Sequence, residues 1–270
     1  MKLWVIIPAG GASRRYVEER AAQGVEFVRS KLDEDLGGRP VLQRTVELFT
    51  TISEVAGIIV AGPAADEAFA AFKARHGDKL AVYGVIVCRG GATHRYETVR
   101  NALGHVPAEA THIAVHDAAR PCTSVELIQR VLDAARRYDA VIPGVPVSDT
   151  LKRVGGALED AEADPLAAIL GAPAAKGSGA RPIEATVERE HLVGVQTPQV
   201  FARGLLMRAY AQRELSSTDD AQLVERLGER AVVVPGDARN LKITRTEDLT
   251  LARAILGFKA PTEKPAHLRF

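Results

Sequence analysis

The run Pro8-Ala9-Gly10-Gly11-Ala12-Ser13-Arg14-Arg15 closes a short apolar stretch with small residues followed by arginines. Small residues let backbone N–H groups come close to an anion, and Arg15 adds charge-assisted hydrogen bonds, so this order suits a polyphosphate. It is neither a P-loop nor GxGxxG, because the Lys-Ser/Thr pair and the glycine spacing are absent. Taken alone, such a turn serves equally as a tight strand-to-helix connection. His116-Asp117-Ala118-Ala119-Arg120-Pro121 follows a second apolar run. An Asp there is placed to hold Mg²⁺ on a nucleotide's phosphates, or simply to cap a helix. His116 by itself reads more readily as a hydrogen-bonded structural histidine than as a ligand or base. Gly90-Gly91-Ala92-Thr93-His94-Arg95 follows a third run. Its glycines would let backbone pass against a flat base, with Thr98 near enough to donate, or would make a plain turn. Pro146–Arg153, Gln196-Thr197-Pro198-Gln199 and Asn240-Leu241-Lys242-Ile243-Thr244 end strands as well, though a lone lysine is ordinarily a solvated charge.

The elements that must position these residues alternate. The pattern predicts strands at Leu3–Ile7, Gly57–Ala61, Ala81–Cys88, His112–His116, Ala140–Val147, Leu192–Gln196 and Ala231–Val234. It predicts helices at Val41–Ile52, Ala64–His76, Arg95–His105, Val125–Tyr138, Ala202–Leu215, Asp219–Leu227 and Glu247–Leu256. The helix from Val125 puts Leu127, Ile128, Val131, Leu132 and Ala135 on one stripe, with Ser124 as its N-cap. Alternation of this kind argues for an α/β fold, a mostly parallel sheet with helices on both faces. Ligands of such sheets bind beyond the carboxyl ends of the strands, which is where the chemistry-bearing runs fall. Residues 155–182, rich in Ala, Gly and Pro, break the alternation and read as a flexible loop. Tyr16–Ser30 reads as a polar loop and the tail after Phe258 as a loose end.

Bulk properties narrow the field. A net charge of +1 over 270 residues gives no basic excess for nucleic acid, so any anionic ligand depends on a local site. Two cysteines, Cys88 and Cys122, are too few for a disulfide framework and read as reduced, partly buried thiols. The apolar N-terminus lasts only about five residues before Pro8, too short for a signal or a membrane span, and no later run is longer. A soluble, cytoplasmic chain with no membrane partner is the expectation.

Singly these runs are weak, but in series and in order the chain resembles the 2-C-methyl-D-erythritol 4-phosphate cytidylyltransferase family. The resemblance runs from about residue 3 to 257 and rests on PAGGASRR, SKL, GGATHRYETV, HDAARP, PVSDTLKR, ATVER, QTPQ, TDDA and NLKIT. It implies a Rossmann-like single domain over 1–258, with a protruding β-arm at about 151–190 that clasps a second copy to make a homodimer. The family transfers CMP from CTP to a polyol phosphate. By motif position Arg15, Lys31 and Lys242 are then catalytic. Ala9, Gly10, Gly11, Ser13, Gly91, Thr98, Asp117 and Ala118 hold the nucleotide, and Asp117 binds Mg²⁺ or another divalent cation. Arg120, Thr150, Arg189, Thr197 and Thr218 hold the polyol phosphate, Arg189 from across the dimer.

This chain departs from the family pattern at several points. Ser13 replaces a glycine of the phosphate turn, Lys31 follows a longer loop than usual, and Ala92 stands where an acid is common. Arg239 lies where the family often has an acid that binds the substrate's hydroxyls, which bears on substrate identity more than on reaction type. A ribitol 5-phosphate cytidylyltransferase is the near alternative, disfavoured by DTLKR and TVER. A non-catalytic nucleotide-binding homologue is the alternative of another class.

Overall fold

The first strand, β1 (Leu3–Pro8), is apolar throughout because it is covered on both sides: Leu3, Val5 and Ile7 join one core cluster and Ile6 the other. Such unbroken apolar runs belong to parallel strands that no solvent reaches. The computed structural model describes residues 1–25, 29–158 and 179–259. The same alternation between clusters recurs in β2 (Val55–Gly62), where Ile58 and Val60 oppose Ile59 and Ala61. After β3 (Ile86–Arg89) it recurs in β4 (His112–Val115), where Ala114 opposes Ile113 and Val115. β5 (Ala140–Pro146) follows, then a hairpin of β6 (Leu151–Val154) and β7 (Ile183–Val187), then β8 (Val193–Val195), β9 (Gln199–Ala202) and β10 (Val232–Pro235).

Seven strands run in the order β10-β5-β9-β4-β1-β2-β3. All neighbours pair in parallel except β9, which is antiparallel to both β4 and β5. Among the described residues eight α-helices accompany the strands. α1 (Arg14–Ala22), α2 (Val41–Thr50), α3 (Asp66–Ala81), α4 (Arg95–Leu103) and α5 (Val125–Ala135) precede α6 (Arg203–Tyr210), α7 (Asp220–Arg226) and α8 (Thr246–Ile255). α2, α3, α5 and α8 feed one cluster through Leu42, Phe49, Phe72, Val131 and Leu249. α4, α6 and α7 feed the other through Val99, Leu103, Leu206 and Leu223. Helices therefore cover both faces, as the alternation predicts. Ser124 caps α5 as expected, accepting from the Leu127 amide at 3.2 Å. No described helix is long and apolar enough to cross a membrane.

Three expectations need correction. Tyr16–Ser30, read as a loop, begins with most of α1. Its sequence RRYVEERAA is made of good helix formers, but only Tyr16 is buried, so it carries no apolar period to detect. The predicted strand from Ala81 starts only at Ile86, because α3 continues to Ala81 and a turn follows through Gly84, φ +65°. β9 was not expected, since four residues after Pro198 look like the approach to a helix.

The chain divides into two compact units, Pro146–Gly194 and the remainder. The predicted arm at 151–190 falls inside the smaller. Within it β6 and β7 pair antiparallel, Leu151 opposite Val187, and the pairing runs past the strands: the Gly155 amide donates to Pro182 and the Leu158 amide to Ala180, each at 2.9 Å. The ends of the predicted loop 155–182 are thus tied together, while its middle, 159–178, and the tail beyond Lys259 lie outside the described residues.

Candidate functional site

In the larger unit, the ends of β1, β3 and β4 open onto one cleft of about 300 Å³, which Lys31, Leu32 and Lys242 complete. Its floor is the turn after β1. The Ala9 amide donates to the Ala61 carbonyl at 2.7 Å, and a Cβ on Gly10 would sit 2.6 Å from the Gly62 carbonyl oxygen. A Cβ on Gly90 would strike the same oxygen. Gly10→Ala is therefore expected to pry the turn from β2, costing about 1–3 kcal/mol in denaturant unfolding. Ser13 adopts φ 52°, ψ 31°, the left-handed conformation a glycine would take freely, and α1 begins immediately after it. Arg14 consequently lines the cleft, whereas Arg15, exposed on the same first turn, does not.

Asp117, just beyond the end of β4, is the sole carboxylate lining the cleft among the described residues. Lys242 Nζ approaches its Oδ2 at 2.9 Å, Arg120 Nε the same oxygen at 3.3 Å, and Arg95 Nε its Oδ1 at 3.4 Å. Burial alone would raise the Asp117 pKa, but the three cations outweigh it and hold the group far below the usual carboxylate range. Lys31 sits on a 3₁₀ turn, Lys31–Asp33, and its Nζ donates to the Ile243 carbonyl at 2.6 Å, beside Lys242. Burial first, then the Lys242 charge, pull its pKa down to about 8, with Arg15 adding to the depression and Asp117 opposing it.

The motif residues beneath the cleft are bonded to one another. His116 is fully buried; burial pushes its pKa down to about 4, so the ring is neutral at pH 7. Its Nε2–H donates to the Arg120 carbonyl, leaving Nδ1 to accept from the Thr197 hydroxyl, both at 3.2 Å. The Thr197 oxygen in turn accepts from the Asp117 amide at 3.0 Å. The reading of His116 as structural stands, and the Thr197 hydroxyl, assigned by resemblance to the polyol phosphate, directs its proton inward. Arg120 also donates to the Asn240 carbonyl at 2.7 Å, and Asn240 Nδ2 to the Thr197 carbonyl at 2.9 Å. Thr98, expected to donate to a base, instead accepts from the Gly91 amide at 3.0 Å and so fixes the glycine turn.

The structure thus gathers Ala9, Gly10, Gly11, Ser13, Lys31, Gly91, Thr98, Asp117, Ala118 and Lys242 around one cleft. It does not bring Thr218 there: that residue is exposed and bonds to Gln222 ahead of α7. Thr150 and Arg189 belong to the smaller unit, where Arg189 donates to the Ser148 carbonyl. Arg95 was missed among the site residues. Its NH1 pairs with Asp220, which has no exposed surface and also accepts from the Tyr210 hydroxyl. Nothing local marks Arg95, because its partners, Asp117 after β4 and Asp220 at the start of α7, lie far along the chain.

Arg14, Lys31, Arg95 and Lys242, lining one cleft with Asp117, make a site for a polyanion. The described residues hold no group of three or more His, Cys, Asp or Glu side chains able to bind a metal by themselves. A single carboxylate suits Mg²⁺ that keeps its other ligands on phosphate oxygens, so Asp117 fits a cation carried by a triphosphate. The Ser13 hydroxyl meets that of Ser30, at 3.3 Å, and the Thr197 hydroxyl that His116 accepts from is buried. The arrangement can hold, orient and neutralise charge at phosphorus, and it leaves the attacking atom to an acceptor.

A family model described as 2-C-methyl-D-erythritol 4-phosphate cytidylyltransferase matches the chain at residues 3–164 and 160–258. An enzyme of that name from Streptomyces coelicolor is 38% identical over 82% of this chain and 76% of its own. A "Bifunctional enzyme IspD/IspF" from Solidesulfovibrio magneticus is 35% identical over 94% of this chain, which spans 57% of that protein's length. The crystal structure of a 4-diphosphocytidyl-2C-methyl-D-erythritol synthase aligns with a TM-score of 0.69 at 32% identity, covering 94% of this chain and 99% of the other.

Proposed function

The chain belongs to the 2-C-methyl-D-erythritol 4-phosphate cytidylyltransferase family, and on that footing we propose that it transfers CMP from CTP to 2-C-methyl-D-erythritol 4-phosphate. One observation carries the reading: two ammonium groups, Lys31 and Lys242, line one cleft with a glycine turn and Asp117, to which Lys242 pairs at 2.9 Å. Such a cluster is stabilised by a bound polyanion.

The acceptor's phosphate oxygen attacks the α-phosphorus of CTP, the bond to the β,γ-diphosphate breaks, and pyrophosphate leaves with that electron pair. Lys31 and Lys242 neutralise the charge that builds at the α-phosphate, and Arg14 and Arg15 supply positive charge at the start of α1. The turn at Ala9–Ser13 receives the phosphates on backbone amides, and Gly91, set by Thr98, gives the base a flat wall. Selection of cytosine over uracil rests on backbone carbonyls accepting from the exocyclic amine. Mg²⁺ held on Asp117 and the phosphates would offset charge on the leaving group.

The polyol phosphate falls to Arg120 and Thr197 of one copy and Arg189 of a second. The hairpin β6–β7 supports a homodimer: successive positions, Lys152 to Val154 and Ile183 to Thr186, are exposed, so neither face is covered, and two strands by themselves are marginal in water. The expected mass in solution is that of two chains.

Pyrophosphate release is expected only when CTP, Mg²⁺ and 2-C-methyl-D-erythritol 4-phosphate are all present, with ribitol 5-phosphate a poor substitute. Equal or better use of ribitol 5-phosphate would transfer the assignment to that polyol. Binding of CTP without any release would leave a nucleotide-binding homologue.

A further inference from the structure

A second cavity, about 250 Å³, lies behind the turn that carries Lys31 and is not used by the proposed reaction. Ser30, Leu32 and Asp33 wall it on one side, and Phe72, Arg75 and His76 of α3 on the other. Leu32, in the middle of the turn, packs into the core at 5% exposure, and the cavity leaves the Asp33 end to be held by polar bonds. The Asp33 side chain is 4% exposed and that of His76 2%, and His76 Nε2 lies 2.7 Å from Asp33 Oδ1. Arg75 pairs with the other carboxylate oxygen. Burial would raise the Asp33 pKa, but the hydrogen bond and charge of His76, with Arg75, hold it below the ordinary range. His76 is steadied in turn by the Phe72 ring, 4.9 Å away between centroids.

Asp33 and Lys31 are the two ends of one 3₁₀ turn, closed by the Asp33 amide on the Ser30 carbonyl at 2.9 Å and the Leu32 amide on the Ser30 hydroxyl at 3.3 Å. Three residues bonded in this way shift together. We propose that His76, acting through Asp33, is a positioning residue for Lys31: it ties the turn to α3 so that the ammonium stays over the nucleotide cleft. This rests on the cytidylyltransferase reading, since it assigns Lys31 its task.

The test is a double-mutant cycle between His76→Leu and Lys31→Ala, following CTP-dependent pyrophosphate release. In the otherwise native chain His76→Leu is expected to lower turnover by about 10²-fold, the scale of a misplacement of roughly 1 Å. With Lys31 already Ala, the same substitution is expected to change the residual rate by less than about threefold, because the two act as one unit. His76→Gln, whose amide can reach the same carboxylate, is expected to recover most of the rate. A His76→Leu enzyme as fast as the unaltered one, or an equal loss in both backgrounds, overturns the proposal. If His76→Leu does not fold, Asp33→Asn, which keeps the side chain's shape, carries the same cycle.

An unaltered enzyme that releases no pyrophosphate would overturn the reaction and not the clamp. The clamp is then read from acylation of Lys31 by acetic anhydride, followed by peptide mass. His76→Leu is expected to change labelling at Lys31 while leaving Lys79 alone, and unchanged labelling at Lys31 overturns the clamp.

Discussion

Lys31→Ala is expected to lower turnover by about 10²–10³-fold, the loss typical of a well-placed charge donor at a developing anion, while leaving the unfolding midpoint within a few degrees. The two effects separate because Lys31 is held at a cost. Its pKa falls from 10.5 to about 8 in the folded chain, through burial and the neighbouring Lys242 charge. A lysine whose folded pKa lies below its unfolded value disfavours folding while it is charged, fully so below about pH 8. That penalty fades as pH rises from about 8 toward 10.5. The alanine variant loses the hydrogen bond to Ile243 but sheds the penalty, so the two changes oppose each other. The stability of the native chain relative to Lys31→Ala is accordingly expected to rise with pH across that interval. The rate moves the other way: kcat/KM, which reports the free enzyme, is expected to fall as pH rises through about 8 and Lys31 loses its proton. Lys31→Arg, charged throughout, is expected to abolish that limb. A large, equal loss of folding and rate in Lys31→Ala would remove Lys31 from the reaction.

That Lys31 belongs in the cleft was readable from SKL by its resemblance to the family motif, although a long polar stretch precedes it. Its pKa was not, because it is set first by burial and then by Lys242 and Asp117, which come from loops far along the chain. The central sheet was legible where burial on both faces left an unbroken apolar run, as in Leu3–Ile7 and Ile58–Ala61. It was illegible at β9, where Gln199 faces inward at 1% exposure only because it bonds to Asp219 and the Ala221 amide. α1 was hidden for the opposite reason, a surface helix with one buried residue. Where that helix starts sets how the two arginines are presented: with Ser13 left-handed, Arg14 lines the cleft while the charge of Arg15 still reaches Lys31.

The largest loss of stability is expected from Arg95→Ala. Arg95 NH1 lies 2.8 Å from the Asp220 carboxylate, which has no exposed surface, while its Nε faces Asp117 at 3.4 Å. Removing the guanidinium strands a buried carboxylate with the Tyr210 hydroxyl as its remaining side-chain donor. Breaking a buried pair from one side costs about 3–5 kcal/mol, and for a chain of this size that lowers the melting temperature by roughly 10 °C. Replacing both partners, Arg95→Met with Asp220→Leu, leaves no charge stranded and is expected to recover much of the stability, because apolar pairs of similar volume often match a buried ion pair. The rate is not expected to return with it, since Asp117 still lacks the Arg95 contact that fixes Oδ1. Thermal unfolding and pyrophosphate release, measured on the single and double variants, separate the two roles. A melting temperature unchanged in Arg95→Ala would mean that solvent reaches Asp220 and that the Arg95–Asp220 pair does not hold the fold together there.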